Sequence, residues 1–154
     1  MAATKVSRET KSPIDGAPAL IGGSLSALGR TLSRRVDDVV EAAGLSADQW
    51  YTLDVIIRND GVAMNDLARS LSIPPPTVTK FVDRLVTKAL VFRLVDHEDR
   101  RRLLVHAARR GSEVHAALAP AVCDVESAFL SELSATHRNA LQALLATAPL
   151  GSES

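Results

Sequence analysis

Cysteine is almost absent from this sequence: Cys123 is the only one in 154 residues. A single thiol cannot close an intrachain disulfide, so there is no secreted disulfide framework, and a reducing compartment, the cytoplasm, is the default expectation. Long apolar runs are missing too. No stretch approaches the ~18 apolar residues of a membrane span, and residues 1–18 are too polar and proline-punctuated for a signal peptide. The expectation is a chain neither exported nor inserted in a membrane. An excess of one charge is also lacking, since 18 Lys+Arg balance 18 Asp+Glu. That excludes a polybasic coat on average, and local placement of the charges has to decide whether phosphate can be bound. Catalytic signatures are lacking as well. His97, His106, His115 and His137 are isolated, no ligand spacing suggests a metal, and no HExxH, G-x-S-x-G or glycine-rich phosphate loop occurs. Neither an enzyme nor a cofactor is expected.

What the chain does have is 46% hydrophobic and 23% charged residues, enough to bury a core, and a length suited to one domain. Residues 1–18 read as a mobile arm. From Ala19, Leu25, Leu28, Leu32, Val36 and Val39 recur at three- and four-residue steps, the stripe of an amphipathic helix that Gly44 ends. Ser46 and Gln49 have capping-box spacing ahead of a second helix with Trp50, Leu53, Ile56 and Ile57 on its buried face, stopped by Asp60-Gly61.

The spacing predicts a third helix over Met64–Leu71 and a fourth over Pro75–Lys88, separated only by Ser72-Ile73-Pro74. So tight a joint forces a steep crossing, the helix-turn-helix geometry. Pro74-Pro75-Pro76 starts the fourth helix rather than breaking it, because first-turn N–H groups have no intrahelical partner to lose. After Ala89 the period becomes two-like through Val95, Asp96–Arg102 interrupts, and Leu103–His106 resumes, which predicts a β-hairpin with a charged tip. A long helix follows with Val114, Leu118, Val122, Val125, Phe129 and Leu133 in register. Pro120 should bend or divide it. Leu141, Leu144 and Leu145 mark a last, shorter helix. Cys123, on the apolar-rich helix, is expected to be a buried small hydrophobe rather than a nucleophile or redox sensor.

Residues 64–111 resemble the winged helix-turn-helix of the MarR family of bacterial transcriptional regulators. The resemblance is carried by Leu67-Ala68, by Thr77-Val78-Thr79 with Val82-Asp83-Arg84-Leu85, by Leu90-Val91, and by Asp96-x-x-Asp99-Arg100-Arg101. Their order and spacing fit from about residue 19 to 148. Ala63 and Pro74 depart from the family in lacking a capping side chain, and Pro120 interrupts the long helix. The implied fold is mainly α with a small β-hairpin wing. The implied division is a mobile arm over 1–18, a dimerisation helix over 19–45, a winged helix-turn-helix DNA-binding domain over 46–110, C-terminal dimerisation helices over 111–148 and a tail over 149–154.

A recognition helix in the major groove would present Pro75, Pro76, Thr77, Thr79 and Lys80 to base edges, thymine methyls or phosphates, with Arg84 and Lys88 continuing a cationic row. In the wing, Asp99, Arg100, Arg101 and Arg102 are the candidates. The resemblance implies that one tip arginine enters a minor groove while an Asp orients the hairpin. Arg101 is favoured as the inserted residue and Arg100 as the Asp-paired one.

The resemblance further implies a homodimer on double-stranded operator DNA, repression, and release by a small aromatic effector in a cleft. Trp50 and His115 are candidate lining for that cleft, although Trp50 reads first as plain core. The alternative is a winged-helix protein-interaction module without DNA binding. Local charge separates the two: residues 93–110 hold six Arg against three acids, an excess a protein-only module does not need.

Overall fold

The computed structural model describes residues 21–147, so the expected mobile arm and C-terminal tail lie outside the described residues. Helix α1 (Ile21–Val40) runs into a single 3-10 turn at Glu41–Ala43 and then α2 (Ala47–Arg58). Gly44 makes the corner with φ of +68°, a left-handed conformation that costs a Cβ-free residue nothing. Ser46 Oγ accepts from Gln49 N–H while the Gln49 side chain accepts from Ser46 N–H, completing the capping box. Asp37 Oδ1 accepts from Ala47 N–H at 2.6 Å, so α1 also helps to start α2.

Strand β1 (Val62–Ala63), α3 (Met64–Leu71) and α4 (Pro75–Thr87) follow, then β2 (Val91–Val95), β3 (Leu103–Ala107), α5 (Arg109–Ser131) and α6 (Ala135–Thr147). The expected hairpin is present as β2 and β3, and β1 adds a third strand, giving an antiparallel sheet in the order β1-β3-β2. Val62 pairs with Val105, and Val91 through Val95 pair with Ala107 through Leu103. Ser72, left-handed at φ 52°, turns the chain between α3 and α4. Pro75 stands at the first turn of α4, and neither Ala63 nor Pro74 supplies a side-chain cap.

The core joins α1, α2, α3, α4 and the sheet. Val36, Val40, Leu53, Ile56, Leu67, Val78, Val82, Leu85 and Val105 are fully buried, each worth about 1.5–3 kcal/mol of transfer free energy. Half of the α1 stripe goes elsewhere. Val36 and Val40 point into this core, whereas Leu25 is 56% exposed.

One expectation for α5 is narrowed and one needs correction. Of the two outcomes expected of Pro120, division is not found, since the helix is continuous from Arg109 to Ser131. Pro120 is exposed, so the carbonyl freed by its missing N–H faces the solvent side. Cys123 is exposed rather than buried. Val122 is the residue that turns inward, and one step of about 100° along a helix carries the next side chain off the packed face. Where α5 begins, Gly111 is buried against Leu90, the residue just ahead of β2: a Cβ there would stand 2.0 Å from the Leu90 carbonyl oxygen.

Candidate nucleic-acid interface

Helix α4 has two faces of different chemistry. Val78, Val82 and Leu85 fill the core, while Pro75, Pro76, Thr79, Lys80 and Arg84 are exposed and Thr77 is half-buried. The outward residues predicted from sequence thus do share one accessible surface along the first three turns. Thr79 Oγ1 donates to the Pro75 carbonyl at 2.9 Å, which leaves its lone pairs free to accept. Asp83 is the one acid on this helix, and Arg93 of β2 reaches it at 2.7 Å. That pair neutralises a carboxylate which would otherwise repel phosphate, and it ties the wing to the helix.

Lys88 stands apart from the row. It is the C-terminal cap residue of α4, and a Cβ on Gly44 would come 2.9 Å from its ammonium. Its charge is carried toward the α1–α2 corner rather than along the helix beside Lys80 and Arg84.

The wing tip organises itself through its acids. Asp96 N–H donates to the Arg102 carbonyl and Arg102 N–H to the Asp99 carbonyl, closing the loop. The Asp96 carboxylate accepts from Glu98 N–H and the Asp99 carboxylate from Arg101 N–H, each at 2.9 Å. These acids hold backbone, not guanidinium groups. The expected pairing of Arg100 with an Asp of the loop is not found: among the described residues neither Arg100 nor Arg101 forms an ion pair, and both are exposed.

The restrained arginine is Arg102. Its guanidinium reaches Asp66 of α3, which also holds Arg69. Asp66 thereby links the helix-turn-helix to the wing and is a residue that sequence reasoning missed. Its partner lies 36 positions away, so no local spacing announces it. Lys80 and Arg84 of α4 and Arg100 and Arg101 of the tip are exposed and stand without a carboxylate partner among the described residues.

Trp50 and His115 come together in the fold. Trp50 is 3% exposed, and its ring stacks on His115 at 4.6 Å between centroids. His115 Nε2 lies 2.8 Å from Asp54 Oδ1, and Arg58 Nε lies 2.8 Å from the other oxygen of the same carboxylate. Together these residues form a packed joint between α2 and α5. Nearby, Tyr51 donates to Glu126 of α5 at 3.2 Å. Burial first, and the Glu126 carboxylate second, push the Tyr51 hydroxyl well above its ordinary value.

The profile of the MarR family matches residues 43–102, which run from the α1–α2 corner to the wing tip. Over those residues the chain is similar to the MarR family. BadR, the transcriptional activatory protein of Rhodopseudomonas palustris, is 34% identical over 83 residues, 52% of this chain and 47% of BadR. The chain spans between about half and two thirds of the length of the curated relatives it matches. Among solved structures, a cysteine-to-serine variant of E. coli MarR in complex with operator DNA is 24% identical, with 81% of this chain and 90% of MarR superposed at a TM-score of 0.73. CouR of Rhodococcus jostii, bound to p-coumaroyl-CoA, is 22% identical, with 88% and 96% superposed at 0.76. Those two likenesses establish the fold. That partial likeness to the MarR family is in line with the expectation of no enzymatic activity. No described helix is long and apolar enough to cross a membrane.

Proposed function

We propose that this chain is a cytoplasmic, sequence-specific repressor of the MarR type that binds a pseudo-palindromic operator as a homodimer. The observation that carries the reading is the division of the wing arginines: Asp66 engages Arg102, while Arg100 and Arg101 project unpaired at the tip. An unpaired guanidinium beside an exposed recognition helix is suited to the concentrated negative potential of a narrow minor groove. Pro75, Pro76, Thr77 and Thr79 would meet base edges in the major groove, and Lys80 and Arg84 phosphates. Asp99 takes an indirect part by shaping the turn that carries Arg101. Lys88 falls outside this set on account of its place at the far end of α4.

The homodimer has support in apolar surface. Leu25, Leu28 and Leu32 of α1 with Phe129, Leu141 and Leu145 border a cavity of about 330 Å³ that one chain leaves open. Leu145 is 53% exposed there. Covering such surface with a second copy removes it from water and sets two recognition helices about one DNA turn apart. The division into a dimerisation helix over 19–45, a DNA-binding domain over 46–110 and C-terminal dimerisation helices over 111–148 follows from that arrangement. Release by a small effector takes its support from CouR, which was solved with p-coumaroyl-CoA. Trp50 and His115 stay candidates for lining its site.

The test is an operator library. Thr77→Ala and Thr79→Ala should change which variants are preferred, whereas Lys80→Ala and Arg84→Ala should weaken all of them alike and flatten the salt dependence. Affinity indifferent to salt, with no sequence preference, would instead favour a protein-interaction module. Deleting the gene should raise expression from its target promoter; a fall would make the chain an activator.

A further inference from the structure

Strand β2 is an outer strand of the sheet, since β3 lies between it and β1 and no other described strand pairs with it. Ala108 N–H donates to the Leu90 carbonyl at one end of the β2–β3 ladder, and Asp96 N–H donates to the Arg102 carbonyl at the other, each at 2.9 Å. Antiparallel ladders alternate bonded and non-bonded pairs, so Phe92 opposite His106 and Leu94 opposite Leu104 carry the bonds between those ends. Val91, Arg93 and Val95 therefore turn their N–H and C=O groups toward the outer edge. Val91 is buried, which leaves Arg93 and Val95 as the accessible stretch.

This edge carries little that would block a further strand. Pairing with β3 runs from Val91 to Val95 without a bulge, and the strand has no proline, glycine or lysine. Phe92 and Leu94 are exposed on one face and Val95 on the other. The one charged side chain, Arg93, donates through Nη2 to Asp83, and its remaining guanidinium N–H groups have no acceptor among the described residues.

Those features also select the occupant. An antiparallel second copy of β2, in the register of greatest overlap, would set Arg93 opposite Arg93, and like charges directly opposite are destabilising. A strand with an acid opposite Arg93 gains a charge-assisted bond instead, and its two flanking residues come opposite exposed Phe92 and Leu94. The matching triplet is apolar, acidic, apolar. Residues 1–20 and 148–154, which lie outside the described residues, contain no such triplet, because Glu9, Asp15 and Glu153 each lack an apolar neighbour on at least one side.

We infer that the outer edge of β2 is a strand-addition site for an extended segment of another protein that carries an apolar, acidic, apolar triplet, with the acid paired to Arg93. Main-chain hydrogen bonds to Arg93 and Val95 supply the affinity, and the Arg93 guanidinium with the Phe92 and Leu94 face supplies the selectivity. Docking of this kind needs neither Arg100 nor Arg101 and stands whether or not the chain binds an operator.

The probe is the peptide acetyl-Thr-Thr-Val-Glu-Val-Thr-Thr-amide, added to the full chain at constant ionic strength and followed by amide NMR shifts and hydrogen exchange. Saturable binding is expected, with exchange slowed at least threefold at the amides of Arg93 and Val95 and unchanged at those of Phe92 and Leu94, which already bond to β3. A peptide with Lys in place of Glu should bind at least tenfold more weakly, and one N-methylated at the Glu nitrogen should not bind. Val95→Pro removes an outward N–H and none from the ladder, so it should weaken the Glu peptide at least fivefold while circular dichroism stays unchanged. Arg93→Gln keeps the edge N–H and should cut the preference for Glu over Lys below threefold, so the test survives a Val95→Pro chain that fails to fold. No saturable binding, undiminished affinity for the N-methylated peptide, or protection spread evenly over residues 91–95 would overturn the inference. So would self-association that Val95→Pro alone removes, which would make a second copy the occupant.

Discussion

The guanidinium of Arg102 in the wing meets the carboxylate of Asp66 on α3, so the two halves of the candidate DNA surface are joined by a side-chain pair rather than by backbone alone. Asp66 is 35% exposed, and the pair belongs to the class of surface ion pairs that stabilise a fold by about 0–1 kcal/mol. Its effect on DNA binding should be larger than its effect on stability. Asp66→Ala is expected to leave the urea midpoint nearly unchanged while lowering operator affinity, because a loosened wing must be ordered again on binding. Equal losses in both measurements would make the pair merely structural.

Gly111 is set against the Leu90 carbonyl, where a Cβ would stand at 2.0 Å. No rotamer relieves a contact between two backbone-fixed atoms. Gly111→Ala should therefore push α5 away from β2 and destabilise the chain by at least about 1–3 kcal/mol, the usual range for overpacking. Denaturant unfolding of the variant checks it, and an unchanged midpoint would show that the helix can slide freely.

Cys123 is exposed on a helix whose neighbouring Val122 is buried. Cys123→Ser should consequently alter stability by less than about 0.5 kcal/mol, as expected for a surface substitution. Thermal melts of the two proteins, together with operator binding before and after peroxide, provide the check. Release by peroxide that the serine variant no longer shows would give the thiol a function.

Much of the fold is legible in the sequence because its signals are local. The Ser46/Gln49 capping box, the proline start of α4 and the bounds of α3 each depend on residues within a few positions of one another. What escaped depends on distance or on direction. Strand β1 has two residues, too few to show an alternation, and it exists because β3 offers it an edge. Asp66 finds Arg102 across 36 positions, so the wing arginine that is restrained could not be identified from the tip alone. For Cys123, a stripe of apolar residues gives the packed face of a helix but not how far round it extends. Trp50 and His115 were legible as residue types, but only the structure shows that they stack on each other and fill the space between α2 and α5.

Tyr51 gives a pH dependence with a definite sign. Its hydroxyl pKa is raised in the folded chain by burial and by Glu126, so the folded state holds this proton more tightly than the unfolded state does. The stabilisation is fully present below the unfolded value of about 10 and is lost as pH climbs through the raised folded value. Urea unfolding between pH 9 and pH 11 should show stability falling more steeply for the wild type than for Tyr51→Phe, which has no proton to lose. Identical slopes would contradict the assignment.

The central claim is that two unpaired arginines at the wing tip read DNA while the third holds the wing in place. Its most direct test is the operator affinity, at fixed salt, of a chain carrying both Arg100→Ala and Arg101→Ala, with circular dichroism and light scattering to confirm fold and assembly. Loss of one well-placed contact costs about 1–3 kcal/mol, so the double variant should lose at least that much, with Arg101→Ala alone accounting for most of it. A double variant that folds, assembles and binds its operator with wild-type affinity and preference would contradict the account.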